Sequence, residues 1–525
     1  MAVKASQGLE VEKKYDVGEE AGVPDLSGLP GVARVGDPHE ALLEAVYFDT
    51  ADHALAARRI TLRRRTGGAD AGWHLKLPPA IADAAAVSAA PGDAPQVRQE
   101  LHAPLGQPDV VPDSLLAHLQ VHLRGAEVAP VARLATRRTT HTLYAADGLH
   151  LADLADDRVT AGKLPGDGAD QQWREWEFEL VHGSADLFGP AGELLAAAGA
   201  APSGHASKLV RALGGKKLKS RHLDSTPVLL AGKKAPAAAV VTVYVATQLG
   251  QLVALDPAVR LEEPDAVHDM RTATRRLRSV LAAYRKLYSA VQVRRLQSEL
   301  KWLAAQLGAP RDAEVMAGLL QEPLAALPAG NGADTVRQRI SQHTGTSFDA
   351  GYRTLLGALG SARYFRLLDD LEAFRDNPPV RTGPVAAGKK VTAKAVDKSA
   401  ARLRRAHKAA AHARRGTDHH RALHQIRKDA KRLRHVAESA VPVHGKRAGK
   451  VARAAHSQQK FLGAFNDAVL ARELLASLVQ AADQPDTAAA LAALISGQEE
   501  QMAASVAGYR KARKKSKDLL NRGVI

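Results

Sequence analysis

Near residue 215 the periodicity of this sequence changes, and no single core can serve both halves of the chain. Before that point, short runs alternate in the two-residue rhythm of strands. Beyond residue 236, Ala, Leu, Arg and Lys recur at helical spacing almost to the C-terminus, with breaks at Pro328–Ala333 and Asn377–Gly388. The 525 residues suffice for two or more domains. The expected division is a domain over 1–214, a linker over 215–235, a helical domain over 236–515 and a tail over 516–525. The chain is thus of the α+β multidomain class.

Strands are expected at Leu9–Tyr15, Glu44–Phe48, Arg59–Arg65, Gly72–Leu77, Val97–Leu101, Ala132–Tyr144, Leu149–Leu154 and Glu175–Val181. Gly, Pro and Asp clusters separate them. Asp37–Leu43 and Pro112–Leu119 read as helices, and the Ala-, Asp- and Pro-rich Ala80–Ala94 reads as a mobile loop. The alternating polar positions are almost all ionisable. Glu10, Glu12 and Lys14 share one strand face, as do Arg63 and Arg65, Arg98 and Glu100, and Glu175, Glu177 and Glu179. On one strand such a face is ordinarily solvated. Repeated with changing sign over five or more strands, it predicts a barrel with a charged lumen. Arg98 and Glu100 also read as an ion pair within it.

Glu10 and Glu12 stand about 7 Å apart along a strand and repel one another unless a cation lies between them. Lys14 relieves part of that repulsion; a divalent ion relieves more. Arg63, Arg65, Lys76, Arg98, Arg137 and Lys208 supply the opposite sign. The set suits a substrate of three or four negative charges held by cations while metal coordinates its oxygens.

These residues, with Tyr47-Phe48-Asp49-Thr50, Leu62-Arg63-Arg64-Arg65, the Trp73–Leu77 strand and Ser207-Lys208, resemble in order the motifs of the CYTH, or triphosphate tunnel metalloenzyme, family over residues 5–214. The resemblance implies an antiparallel eight-stranded β tunnel, Mg2+ or Mn2+ dependence, and action on triphosphate compounds. It implies Glu10, Glu12, Glu177, Glu179 and Asp153 as metal ligands, with Glu10, Glu12 and Lys14 catalytic. It further implies Lys14, Arg63, Arg65, Lys76, Arg137 and Lys208 as triphosphate ligands. One metal would bridge phosphate oxygens and another would orient the attacking water. Leu151-Ala-Asp153-Leu-Ala-Asp-Asp157 departs from the family's usual Leu-Asp-x-Gly, which leaves the roles of Asp153 and Asp157 open.

The helical half contains a repeat. His268, Arg271, Arg275 and Arg278 fall on one helical stripe, with Met270, Leu277 and Leu281 on another. His424, Arg427, Lys431 and Arg434 repeat the pattern, as Lys301 and Asp312 recur in Lys460 and Asp467. Two such stripes brought together would repel unless an anion lay between them. The segment resembles the CHAD family over residues 236–515. That resemblance implies an all-α pair of duplicated four-helix bundles binding inorganic polyphosphate through these His, Arg and Lys residues.

Charge agrees with a polyanion: 73 Lys and Arg against 56 Asp and Glu give +17. Aromatic residues are only 4%, which disfavours base stacking and specific nucleic-acid binding. With no cysteine, any metal site must use carboxylates or imidazoles. Met1–Lys14 lacks the apolar core of a signal peptide. The Ala235–Leu255 stretch reads as a buried opening helix rather than a membrane span. The expected protein is a cytoplasmic triphosphatase recruited to polyphosphate, including polyphosphate granules. The alternatives are a non-catalytic granule adaptor, or cyclase or thiamine-triphosphatase activity in the tunnel.

Overall fold

The computed structural model describes residues 6–79, 95–166, 170–214, 235–414, 416–480 and 484–521. Most of the expected linker and the whole Ala80–Ala94 loop lie outside them. The chain divides into two compact units, residues 1–223 and 224–525.

The first unit is a closed antiparallel barrel of eight strands: β1 (Ser6–Val17), β2 (His39–Asp49), β3 (Thr61–Thr66), β4 (Gly72–Leu77), β5 (Gln96–Ala103), β6 (Ala129–Tyr144), β7 (His150–Lys163) and β8 (Gln171–Leu180). Their order around the wall is β1-β5-β4-β3-β2-β6-β7-β8, and β8 pairs back onto β1. Closure removes the exposed edges of an open sheet. The segment 37–43 is a correction: it is not helical, and His39–Leu43 form the start of β2, paired with β6 from His39↔Thr140 onward. Its Glu-Ala-Leu-Leu run favours a helix locally, but pairing with β6 continues residue by residue from His39 to Leu43 and prevails. The other expected helix is present as α1 (Asp113–Leu123).

Because most of the alternating polar residues face inward, most of the apolar ones face outward and require cover. Helix α1 supplies it on one side, where Leu115 and Leu119 pack on Phe48, Leu62, Trp73, Leu75 and Leu101. On another side α2 (Phe188–Ala197) packs Phe188 and Leu195 on Tyr15, Leu154, Trp176 and Phe178. Each fully buried Leu or Phe contributes roughly 1.5–3 kcal/mol. The third apolar cluster lies on the bore side instead: the short α3 (Lys208–Ala212) places Leu209 and Ala212 against Tyr47, Leu134, Val159 and Trp173, which share the inward face with Arg63, Arg138 and Asp157.

The second unit contains, among the described residues, α4 (Ala237–Arg260), α5 (Ala266–Ala283), α6 (Ala290–Gln306), α7 (Gly308–Ala325), α8 (Asn331–Leu359), α9 (Ala362–Asp376), α10 (Gly388–Ala411), α11 (Thr417–Ser439), α12 (Val441–Val479) and α13 (Pro485–Asn521). Helices α4, α5, α6 and α9 form one four-helix set and α10 to α13 another, while the α7–α8 hairpin packs on α12 and α13. Leu320, Val336 and Ile340 meet Leu475, Leu491 and Leu494 there. Gly445 near the start of α12 has φ +54, which kinks it in a conformation open to glycine. Helix α13 runs through residue 515 to Asn521, so the boundary expected at 515 has no structural counterpart.

By length and composition α4 could cross a membrane. Its Val241, Val245, Leu249 and Leu252 are buried, however, and its buried Asp256 bonds Arg260 and, at 2.9 Å, Tyr364 of α9. These are the contacts of a core helix.

Candidate functional site

A cavity of about 120 Å³ runs inside the barrel. Its wall includes Glu10, Glu12 and Lys14 of β1, Arg63 and Arg65 of β3, Lys76 of β4, Arg98 and Glu100 of β5, Arg138 of β6, Glu177 and Glu179 of β8, and Lys208 of α3. Strand alternation places them there: in β8, Trp176 and Phe178 point to the outer core while Glu177 and Glu179, which alternate with them, face the bore.

On the β1–β8 side the bore is acidic. Glu12 stands opposite Glu179 in the ladder, and Lys14 opposite Glu177. Lys14 bonds Glu12 at 2.7 Å and also Glu177, while Lys76 bonds Glu10. Burial opposes the charge on Lys14, but Glu12 and Glu177 outweigh it and raise its pKa. Burial, then repulsion from Glu10, pushes the Glu179 carboxyl up to about 7. Glu10 Oε2 and Glu12 Oε1 are buried without any hydrogen-bond partner. Uncompensated hard oxygen donors beside a carboxyl that resists ionising fit a divalent cation such as Mg2+ or Mn2+. Glu10, Glu12 and Glu179 are the residues that would hold it.

The β3 side of the bore is basic. Arg63 approaches the Tyr47 hydroxyl at 3.4 Å, and Arg65 pairs with Asp70. Burial, then the charges of Arg63 and Arg138, pulls Arg65 down to about 10. Arg63 Nε and Arg65 Nε are buried without partners. These are crowded guanidinium donors without acceptors. Glu100 does not pair with Arg98: it bonds His74 at 2.9 Å and lies 4.0 Å from Lys76, while Arg98 donates to Gln96 and to the Ala206 carbonyl. Glu100 remains well below the usual carboxylate range, since Lys76, His74 and Arg63 outweigh its burial.

Two expected residues are not among those lining this cavity. Arg137 is exposed and lines an outer groove with Leu42, Glu44 and Arg158. Its neighbour Arg138 faces the bore instead, bonding Asp157 and, at 2.7 Å, Glu177. The buried residues Leu134 and Thr136 set that phase along β6, a signal already present in the sequence. Asp153 stands opposite Glu179, on the face of β7 that Asp157 shares, and bonds His150 at 2.9 Å. The acid of β7 that Arg138 and Lys208 hold is Asp157, four residues further along. Oxygens of Asp157, Glu175 and Glu177 lie within 4.8 Å of one another. Lys208 sits among them, at 2.8, 2.7 and 2.7 Å respectively. Asp49 of the Tyr-Phe-Asp-Thr motif is structural: its carboxylate accepts from the backbone N–H of Thr50, Leu55 and Ala56.

In the helical unit, α5 packs on α11 and the two basic stripes converge. Burial, then Arg275, Arg427 and Arg271, pulls Lys431 down to about 6. Arg275 falls to about 10 for the same reasons, burial first and then Arg271 and Arg427. Asp312 bonds Arg271 at 2.8 Å, and Arg271 Nε and Arg427 Nε are buried without partners. The seam therefore carries more positive charge than its own acids balance. Other expected residues sit around it with partners of their own. Arg434 bonds Glu438 at 2.8 Å and His456 at 2.9 Å, and His424 bonds Asn466 at 2.9 Å. His268, Lys301 and Lys460 are exposed and Arg278 is half-buried.

Comparison with known proteins gives the same division. Residues 8–198 match the family model described as CYTH domain, and residues 243–476 match that described as CHAD domain. A Mycobacterium tuberculosis protein described as uncharacterized is 40% identical over 504 residues, covering 93% of this chain and 91% of its own. PptA from Streptomyces chartreusis is similar over 53% of this chain and 100% of its own, with 19% identity and a TM-score of 0.46. The CHAD domain from the plant Ricinus communis is similar over 54% of this chain and 92% of its own, with 26% identity and a TM-score of 0.42. The chain thus belongs to the CYTH, or triphosphate-tunnel, family through its first domain and to the CHAD family through its second.

Proposed function

We propose that the tunnel hydrolyses inorganic triphosphate or a related triphosphate compound with Mg2+ or Mn2+, and that the helical domain binds inorganic polyphosphate. One observation carries the catalytic part. Buried, unpartnered carboxylate oxygens of Glu10 and Glu12 share a bore with buried, unpartnered guanidinium nitrogens of Arg63 and Arg65. Neither set is satisfied within the protein, and an anionic phosphate chain carrying a divalent cation satisfies both. A pure phosphate binder would gain nothing from acids that repel its ligand.

Arg63, Arg65 and Arg138 would grip phosphate oxygens and stabilise charge developing on the transferred group. Lys14 and Lys76, already paired with Glu12 and Glu10, would hold those carboxylates in place. The bound ion supplies charge neutralisation and a more acidic water. A bore this narrow, walled mainly by charged side chains, suits a bare phosphate chain better than a base or thiamine.

For the helical domain the support is the α5–α11 seam, whose cations depress one another's protonation. A polyanion relieves that strain through contacts to phosphate oxygens. A cytoplasmic site of action, including polyphosphate granules, follows from this reading.

Phosphate release from tripolyphosphate, ATP and long polyphosphate tests the proposal, with Mg2+ or Mn2+, for wild type and Glu10→Gln. Metal-dependent release that the substitution abolishes is expected. Absence of release from every substrate would refute the enzyme reading, and full activity in Glu10→Gln would refute the site.

A further inference from the structure

The bore contains a second group of three acids, and it differs from the first in one respect. Around Asp157, Glu175 and Glu177 every carboxylate oxygen already has a nitrogen within 2.8 Å. Arg138 takes both oxygens of Asp157 and one of Glu177; Trp173 Nε1 takes one of Glu175. Lys14 also bonds Glu177, and Lys208 Nζ stands 2.8 Å from Asp157 and 2.7 Å from Glu175 and Glu177. Glu10 Oε2 and Glu12 Oε1 are buried without a hydrogen-bond partner; so is Glu175 Oε1, but Lys208 Nζ stands 2.7 Å from it as an ion pair.

We infer that Lys208 is a resident cation filling the second of two cation positions in the tunnel, so that the bore takes its divalent ion at Glu10, Glu12 and Glu179 alone. This rests on the metal-dependent reading above and narrows it. Geometry supports it in two ways. An ammonium carries three N–H donors, and here three carboxylates lie within 2.8 Å of it, one of them, Glu177, in a hydrogen bond. Its position is also fixed from behind: Lys208 opens α3, which Ser207 caps through Val210 N–H, and Leu209 and Ala212 next to it are buried. For a metal ion to enter this group, an anchored and buried lysine would have to be expelled. Lys208 therefore acts by holding Asp157 and Glu177, and through them Arg138, rather than by binding substrate.

The test is Mn2+ stoichiometry of the full chain by electron paramagnetic resonance without substrate, for wild type, Glu12→Gln, Glu175→Gln and Lys208→Gln. Relative to wild type, Glu12→Gln should bind one ion fewer, Glu175→Gln the same number, and Lys208→Gln one more. Loss of an ion in Glu175→Gln, or no gain in a folded Lys208→Gln, overturns the inference. Should Lys208→Gln fail to fold, the Glu175→Gln comparison decides alone, since that substitution leaves Lys208 in place. A wild type that binds no Mn2+ in the bore counts against the metal-dependent reading. A gain of one ion in Lys208→Gln would still uphold the role of Lys208.

Discussion

Arg138 and Asp157 face one another across β6 and β7, with Arg138 Nε and Nη2 donating to the two carboxylate oxygens at 2.7 and 2.6 Å. Such a two-point contact fixes the guanidinium plane as well as its charge. Asp157 is fully buried, and burial alone would raise its pKa, yet Arg138 and Lys208 hold it below the usual range. Breaking the pair from one side strands a buried charge. Asp157→Ala should therefore cost about 3–5 kcal/mol of stability. The double variant Asp157→Ala, Arg138→Ala should lose less than the two single losses combined. A denaturant double-mutant cycle measures the difference.

Arg137 and Arg138 are adjacent in sequence and lie on opposite sides of the barrel wall. Arg138→Ala should lower kcat for triphosphate hydrolysis by about 10²–10³-fold, the usual cost of removing one group that stabilises developing charge. Arg137→Ala, exposed on the outer face, should leave kcat and KM unchanged. Steady-state kinetics on both proteins at saturating Mn2+ distinguishes the two positions.

The crowded seam gives polyphosphate binding a pH dependence. Lys431 is pulled from its ordinary value to about 6 by burial, Arg275, Arg427, Arg271 and Arg434, with Asp467 and Asp312 as the nearby acids. Without ligand the folded domain leaves this lysine largely neutral near pH 7–8, whereas the unfolded chain keeps it charged. Stability therefore rises as pH climbs from about 6 towards the unfolded value. A bound polyanion favours the charged form, so binding should take up a proton and weaken as pH rises from 6 to 8. For one coupled proton the limit is about tenfold per pH unit. Calorimetry in two buffers of different ionisation enthalpy reads the proton directly, and Lys431→Met should abolish the uptake.

A buried polar chain holds the second four-helix set together. His407 Nε2 meets Gln458 Oε1 at 2.9 Å, and Gln458 Nε2 donates to Ser516 Oγ at 2.9 Å, joining α10, α12 and α13. Gln458 is fully buried, so Gln458→Ala leaves His407 and Ser516 without their partner and should cost about 1–3 kcal/mol. Thermal unfolding followed by circular dichroism would register the loss. Burial and Arg513 already push His407 down to about 4, so the effect should not vary between pH 6 and 8.

Much of this architecture was legible because both halves advertise their periods. The inward face of β8 could be read from Glu175, Glu177 and Glu179 alternating with Trp176 and Phe178, and the paired basic helices from their repeat. What escaped was phase and partnership. Three consecutive polar residues, Thr136, Arg137 and Arg138, hide which arginine turns inward unless Leu134 is counted with them. Asp153 and Asp157 lie on the same face of β7 by alternation, and only the position of Arg138 and Lys208 along the bore separates them. Lys208 could be read as a cation. That its charge is spent on three carboxylates depends on strands far apart in sequence.

The barrel wall is mostly apolar on its outside and mostly charged on its inside, and two of its three cores lie under α1 and α2, the third being on the bore side under α3. Much of the apolar burial that favours folding is therefore settled in a jacket outside the bore. A lineage carrying this wall can exchange residues of the bore, trading one anion or cation preference for another, and keep the same jacket throughout.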